Sequence, residues 1–227
     1  MSRRSWFPEV LEGERVVLRR HVPANLRAFQ RWYADHDVVR LTRYQDGPMQ
    51  PDEIERFFAA RALGSDSLAM AIHRRDTDRL IGTCALSQLD PDNGSALFHI
   101  TVGEKDEWGQ GFGTEATRLM IDHAFGSLGL HRIGLTVFSF NERAIRSYRS
   151  VGFVVEGRAR EAIWREDRWW DEISMSILGG DWRAMAKHDP GPTTTSDGRD
   201  GAGVGAANGA GSTRASGVMA GIFGRRR

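Results

Sequence analysis

Apolar and polar positions along the chain switch repeatedly between a two-residue and a helical period. Residues 13–20, GERVVLRR, hold an apolar run that predicts a first strand. Two helical stretches follow, residues 24–35 and 51–63. The second opens on Pro51 with Asp52 and Glu53 behind it, a composition that suits a helix start. Residues 67–75 and 79–89 read as strands joined through Asp76-Thr77-Asp78. The DPDNG stretch (90–94) is a turn into a third strand of this group, SALFHITV (95–102). Beyond it, Ala116, Leu119, Met120 and Ala124 recur at helical spacing in TEATRLMIDHAF. Residues 131–140 alternate through Ile133, Leu135 and Val137 as a strand. NERAIRSYRSVGF then reads as a helix, with Asn141 as N-cap, Ala144, Ile145, Tyr148 and Val151 on one face, and Gly152 as the stop. Two strands, 153–164 and 169–178, close the pattern around REDR. One strand, two helices, three strands, helix, strand, helix and two strands make a mixed α+β domain over residues 1–189.

From residue 190 the periodicity stops. The stretch is rich in Gly, Ala, Ser and Thr until VMAGIFGRRR, and it reads as a disordered tail with a basic end.

Between strand 95–102 and the next helix lies EKDEWGQGFGTEA, with Gly109, Gly111 and Gly113 alternating. Glycines so close together point to positive φ angles or to a group approaching the backbone. A strand, a bare turn and a helix N-terminus read as an anion site, because the first helix amides are unpaired and the dipole is positive there, with a tight connection that holds no ligand as the alternative. The spacing excludes the two common nucleotide loops. No Lys follows the last glycine as a phosphate loop requires, and the third glycine of a dinucleotide fingerprint falls on Thr114.

Composition narrows the setting. The chain of 227 residues is 40% hydrophobic and 27% charged, which a packed core requires. No apolar run is long enough to span a bilayer, and no apolar stretch follows the early arginines, so a cytoplasmic protein without a signal peptide is expected. The single Cys84 excludes an internal disulfide and a multi-cysteine metal site, and its apolar surroundings predict a buried small residue. The net charge of +1 divides into +3 from residue 190 onward and −2 before it, which argues against a nucleic-acid-binding body.

The pair WGQGFGTEA and NERAIRSYRSVGF, in this order with a strand between, resembles the GNAT superfamily of acyl-CoA-dependent N-acetyltransferases over residues 9–182. Trp108, where many members carry Gln or Arg, makes it most similar to the Rim-type branch that acetylates protein N-termini, including those of ribosomal proteins. The resemblance implies a three-layer fold with a mostly antiparallel sheet splayed at the acyl-CoA site and flanked by helices. It implies acetyl-CoA as co-substrate, no metal, an amine acceptor and a possible homodimer. It places the backbone of Gly109, Gln110, Gly111, Phe112, Gly113 and Thr114 around the coenzyme's pyrophosphate. It also places Asn141 at the pantetheine arm and a backbone amide near Ile100 to Val102 at the thioester carbonyl, and makes Tyr148 the acid for the departing thiolate.

Residue by residue, alternatives stand beside these roles. Asn141 is also a good N-cap, and Tyr148 also fits a core face. Where many relatives place a Glu base, this chain has Leu97. His99, two residues on and on the same face, is the candidate base instead. Trp164, Trp169 and Trp170, with Glu161, Glu166, Asp167, Asp171 and Glu172, read either as a cationic-amine pocket or, preferably, as a packed hairpin. The leading function is acetyl transfer to a protein N-terminal α-amine by direct attack. The alternatives are a silent acyl-CoA-binding module and a small-amine acetyltransferase acting on polyamines or aminoglycosides.

Overall fold

The structure, a computed structural model, describes residues 8–64 and 67–188. The proposed tail from residue 190 lies outside the described residues. An eight-stranded sheet runs in the order β1-β2-β3-β4-β5-β6-β8-β7. Its strands are β1 (Val10–Glu12), β2 (Val16–Arg20), β3 (Ser67–Arg74), β4 (Leu80–Asp90), β5 (Ser95–Val102), β6 (Arg132–Phe138), β7 (Val154–Arg165) and β8 (Arg168–Leu178). Neighbours are antiparallel except β5 and β6, which are parallel. The helices are α1 (Leu26–Tyr33), α2 (His36–Thr42), α3 (Pro51–Arg61), α4 (Phe112–Gly126), α5 (Glu142–Val151) and α6 (Gly179–His188). This is the mixed α+β sheet flanked by helices that the sequence implies.

Alternation decides which face each strand buries. Leu68, Met70 and Ile72 of β3, Ala96 and Phe98 of β5, and Ile173, Met175 and Ile177 of β8 turn to one core. There they meet Phe112, Ala116, Met120 and Ala124 of α4 and Ile145, Tyr148 and Val151 of α5. A second core gathers Phe29, Trp32 and Tyr33 of α1, Val38 and Val39 of α2, and Ile54 and Phe58 of α3, with Leu80 and Trp108 at its edge. Among the described residues no helix is long and apolar enough to cross a membrane.

Three elements escape the sequence pattern: β1, α2 and α6. The strand predicted from residue 13 begins at Val16, and the helix predicted from Thr114 begins two residues earlier at Phe112. The REDR link is a two-residue turn. Glu166 and Asp167 take φ of 54° and 56°, while Arg165 and Arg168 already pair across it.

Candidate active site

The site is a fault in the sheet. Strands β5 and β6 pair only where Ser95, Ala96 and Leu97 meet Arg132, Ile133 and Gly134, and no further pairing joins them along the rest of β5. The gap is part of a cleft of about 1160 Å3, bounded by the glycine turn, α5, β6 and the α1–α3 side. In a strand the N–H and C=O of one residue point to the same neighbour and alternate along the chain. The carbonyl of Val102 accepts the Trp108 indole N–H at 2.7 Å, whereas the N–H of Gly103 donates to the carbonyl of Ile81 in β4 at 2.9 Å. By alternation the amides of Val102 and Ile100 point away from β4, toward the gap.

The glycine turn is built as its bareness suggests. Gly109 and Gly111 take φ of 78° and 89°, the left-handed region that other residues enter only with strain. Gly113 has ordinary helical geometry, but a Cβ there would stand 3.2 Å from Cγ2 of Val102. Gly111 caps α4, and the first helical bond runs from the N–H of Glu115 to its carbonyl, at 3.0 Å. The amides of Phe112, Gly113 and Thr114 therefore precede the helical ladder, at the positive end of a 15-residue helix. Glu115, the acid of this first turn, is turned away: its Oε1 accepts the N–H of Arg15 at 2.7 Å and of Val16 at 3.2 Å. Gly109, Gly111, Gly113 and Thr114 line the cleft. The side chain of Gln110 instead donates to the Asp106 carbonyl at 2.5 Å, and Phe112 is buried in the core. Only backbone from these two positions remains for a ligand. Positive-φ glycines, open amides and a withdrawn carboxylate fit a coenzyme bearing a pyrophosphate.

Helix α5 brings the second motif to the same cleft. Asn141 caps it, accepting the Ala144 N–H at 3.2 Å, and Gly152 ends it at φ 109°. Both cap expectations hold, and Asn141 also lines the cleft. A bond of 2.7 Å between the Thr114 and Ser147 hydroxyls ties the first turn of α4 to α5. Tyr148 is buried at its ring against Phe153 and borders the cleft, and its hydroxyl shows no hydrogen bond among the described residues. Burial pushes its phenol above the usual pKa, so it stays protonated throughout the neutral range. Arg143, which the sequence does not single out, lies 4.3 Å over the Trp108 ring and lines the cleft. Desolvation lowers its pKa from the usual arginine value.

On β5, Leu97 and His99 both reach the cleft, as their shared face predicts. Nε2 of His99 lies 2.7 Å from Oγ of buried Ser87. The ring is open to water within the cleft but crowded by its walls. That desolvation, then the charge of Arg61, lowers its pKa below 6.5. Cys84 is buried, and burial raises its thiol pKa, which keeps it protonated and un-nucleophilic.

The other end of the cleft holds residues that sequence reasoning misses: Tyr33, Arg43, Glu53, Arg56 and Arg61. Arg43 pairs with Glu53 at 2.6 Å, and the Tyr33 hydroxyl meets Thr101 at 3.3 Å. The loop carrying Arg43 is held from far along the chain. Arg165, 2% exposed, donates to the carbonyls of Arg40, Arg43, Tyr44 and Gln45 at 2.6, 3.1, 3.2 and 3.3 Å. The indole-and-acid hairpin lies outside the cleft. Trp164 and Trp169 pair edge to face with centroids 5.2 Å apart, Trp170 meets Phe140 edge to face, and Asp171 pairs with Arg158. None of the three indoles lines the cleft.

A family model described as an acetyltransferase (GNAT) domain matches residues 15–154. The chain is 30% identical over 173 residues to the uncharacterized N-acetyltransferase p20 of Bacillus licheniformis, covering 75% of this chain and 96% of that protein. It is 29% identical over 137 residues to spermidine N(1)-acetyltransferase of Escherichia coli K12, covering 57% and 73% respectively. The crystal structure of Vibrio cholerae spermidine N-acetyltransferase with CoA and spermine superposes with a TM-score of 0.67 at 23% identity, over 75% of this chain and 99% of that one. With the splayed sheet and the glycine turn, these matches place the chain in the GNAT family as an acetyl-CoA-dependent N-acetyltransferase.

Proposed function

We propose that this acetyltransferase acts on the α-amine of a peptide or protein N-terminus, by direct attack without a covalent enzyme intermediate. The observation that carries the reading is that one cleft is lined by the glycine turn with its open amides, by Tyr148 with a protonated phenol, and by His99 with a neutral imidazole.

Acetyl-CoA supplies an acetyl group activated as a thioester. The amides of Gly109 to Thr114 hold its pyrophosphate, with the side chains of Gln110 and Phe112 turned away, and Asn141 borders the pantetheine path. The N–H of Val102 or Ile100, freed by the splay, donates to the carbonyl oxygen as negative charge develops there. His99 takes the ammonium proton of the acceptor, and Tyr148 gives its proton to the departing sulfur. Because its pKa is lowered, His99 is a weak base. Such a base suits an amine that is already partly neutral, and a peptide α-amine has a pKa of about 7.7–8.0 against about 10.4 for an alkylamine. Trp108 supports the finer Rim-type reading. The exposed Trp164–Trp169 pair is the feature in favour of a homodimer, and the lone buried Cys84 suits a reducing cytoplasm.

A small polyamine is the second reading, favoured by relatives named as spermidine acetyltransferases. CoA-thiol release in separate pools of N-terminal peptides, polyamines and aminoglycosides discriminates the two, with Tyr148→Phe as control. The α-amine reading predicts release with peptides. Tyr148→Phe should lower kcat about 100-fold while acetyl-CoA affinity stays within twofold. Release with polyamines alone would overturn the acceptor assignment.

A further inference from the structure

The acceptor end of the cleft has a charge pattern that the transfer reaction itself does not require. Arg43, Arg56 and Arg61 line it, and the only carboxylate among its described residues is Glu53, already engaged by Arg43. Arg56 is bound to Asp52 one helical turn away, at 2.8 Å. Arg61, in the last turn of α3, takes part in no ion pair among the described residues, and its guanidinium lies 6.0 Å from the Phe57 ring centroid. Its charge reaches the proposed reaction centre, since it opposes protonation of His99 and, with Arg43, acts on buried Tyr33.

We infer that the acceptor carries an anionic group, a carboxylate or a phosphate, close to its amine, and that Arg61 with Arg43 receives it. The inference rests on the acetyl-transfer reading above and specifies its substrate. A guanidinium presents a planar fork of donors that matches either oxyanion. A polycation would meet the opposite arrangement, a like charge at Arg61 and no unengaged carboxylate among the described residues that line this end. The anion has two sources with one chemistry: an acidic residue at the start of a peptide, or the carboxylate or phosphate of a small amino compound.

The test measures CoA-thiol release for matched acceptors with the wild-type chain and with Arg61→Glu. The acceptors are a peptide with Asp at its second and third positions, its Asn counterpart, its Lys counterpart, free glutamate, phosphoethanolamine and spermidine. An anionic acceptor should exceed its neutral counterpart by about tenfold or more in kcat/KM, with the advantage shrinking at high salt. Arg61→Glu should reverse the order. Calorimetric binding of acetyl-CoA verifies that the variant is folded. Equal rates for the Asp and Asn peptides, or spermidine as the best acceptor, would overturn the inference while leaving the enzyme intact. If no acceptor reacts although acetyl-CoA binds, the transfer reading of the site fails by itself. Titration of the Asp and Asn peptides into CoA-loaded protein then decides. Tighter Asp binding that is lost in Arg61→Glu supports the anion site, and equal binding refutes it.

Discussion

The Trp108 indole donates to the Val102 carbonyl at 2.7 Å, which ties the start of the glycine turn to the end of the strand that borders the gap. One hydrogen bond thus sets the separation between the proposed pyrophosphate site and the proposed carbonyl-binding amide. Arg143 lies over the same ring, 4.3 Å from its centroid, and brings α5 into the arrangement. Trp108→Phe keeps an aromatic surface and deletes the donor. The expected cost is about 0.5–1.5 kcal/mol in unfolding free energy. KM for acetyl-CoA should rise several-fold while KM for the acceptor stays near wild type. Denaturant titration and steady-state kinetics on the two substrates check both statements.

Gly111 is the hinge of the turn, at φ 89° and capping α4. A Cβ there meets only Arg15 Nη1 at 3.5 Å, so space permits an alanine while the backbone conformation opposes it. Gly111→Ala should destabilise the chain by about 1–2 kcal/mol, the cost of a left-handed non-glycine residue. If the turn relaxes to escape that strain, the amides after it swing out of line. Weaker acetyl-CoA binding by calorimetry, together with a lower melting temperature, is the expected result. Unchanged coenzyme affinity would separate the turn from the anion.

The parts of the site legible in the sequence are those whose chemistry is local. The glycine turn, the Asn141 cap and the Gly152 stop each follow from residues within one turn of one another. Helix α2 escaped because its cap, Asp35, which accepts from Asp37 and Val38, looks in sequence like the tail of α1. Helix α6 opens on two glycines and draws on tertiary contacts, the Trp182 indole donating to Asp122 at 2.7 Å and packing on Phe125. The arginines proposed for the acceptor were invisible for the same reason. Arg43 is aimed by a loop that Arg165 clasps from more than 120 residues away, and no spacing rule connects the two. The splay itself was legible only through the family resemblance, since no local pattern says where β5 and β6 stop pairing.

His99 gives the proposed base a pH signature with a definite sign. Desolvation and Arg61 hold its pKa below 6.5, so the imidazole is neutral and competent at pH 7 and is lost as the pH falls through that lowered value. The acceptor kcat/KM should therefore show an acid limb below pH 6.5, with a separate rise toward pH 8 as the α-amine deprotonates. His99→Gln should lower the rate about 100-fold at pH 7, with the deficit narrowing at pH 9, where the amine no longer needs a base. A deficit of constant size from pH 6 to pH 9 would make His99 a packing residue instead. Acetyl-CoA binding by the variant serves as the control for folding.

A second histidine governs stability rather than rate. His21 is buried between Phe29 and Phe58, with ring centroids 5.4 and 6.0 Å away, and its Nε2 lies 2.9 Å from the Thr83 hydroxyl. Burial pushes its pKa down to about 4, against 6.5 for an open histidine. Above pH 6.5 the ring is neutral in both the folded and unfolded chain, and its contribution is complete. Between 6.5 and 4 the unfolded chain takes up a proton that the folded one refuses, so stability falls with pH; below 4 the two states titrate alike and the loss stops. The difference corresponds to about 3 kcal/mol. The lowered carboxylates, Glu156 among them, begin to titrate only near the bottom of this window, so most of the slope between pH 6.5 and 4.5 belongs to buried histidine. His99, shifted in the same direction, adds to that slope with the same sign. His21→Gln removes the larger share: its unfolding free energy should start lower at pH 7 and decline less steeply down to pH 4.5. Urea titrations at half-unit pH intervals measure that slope directly, and a variant curve parallel to wild type would show that another group controls acid sensitivity.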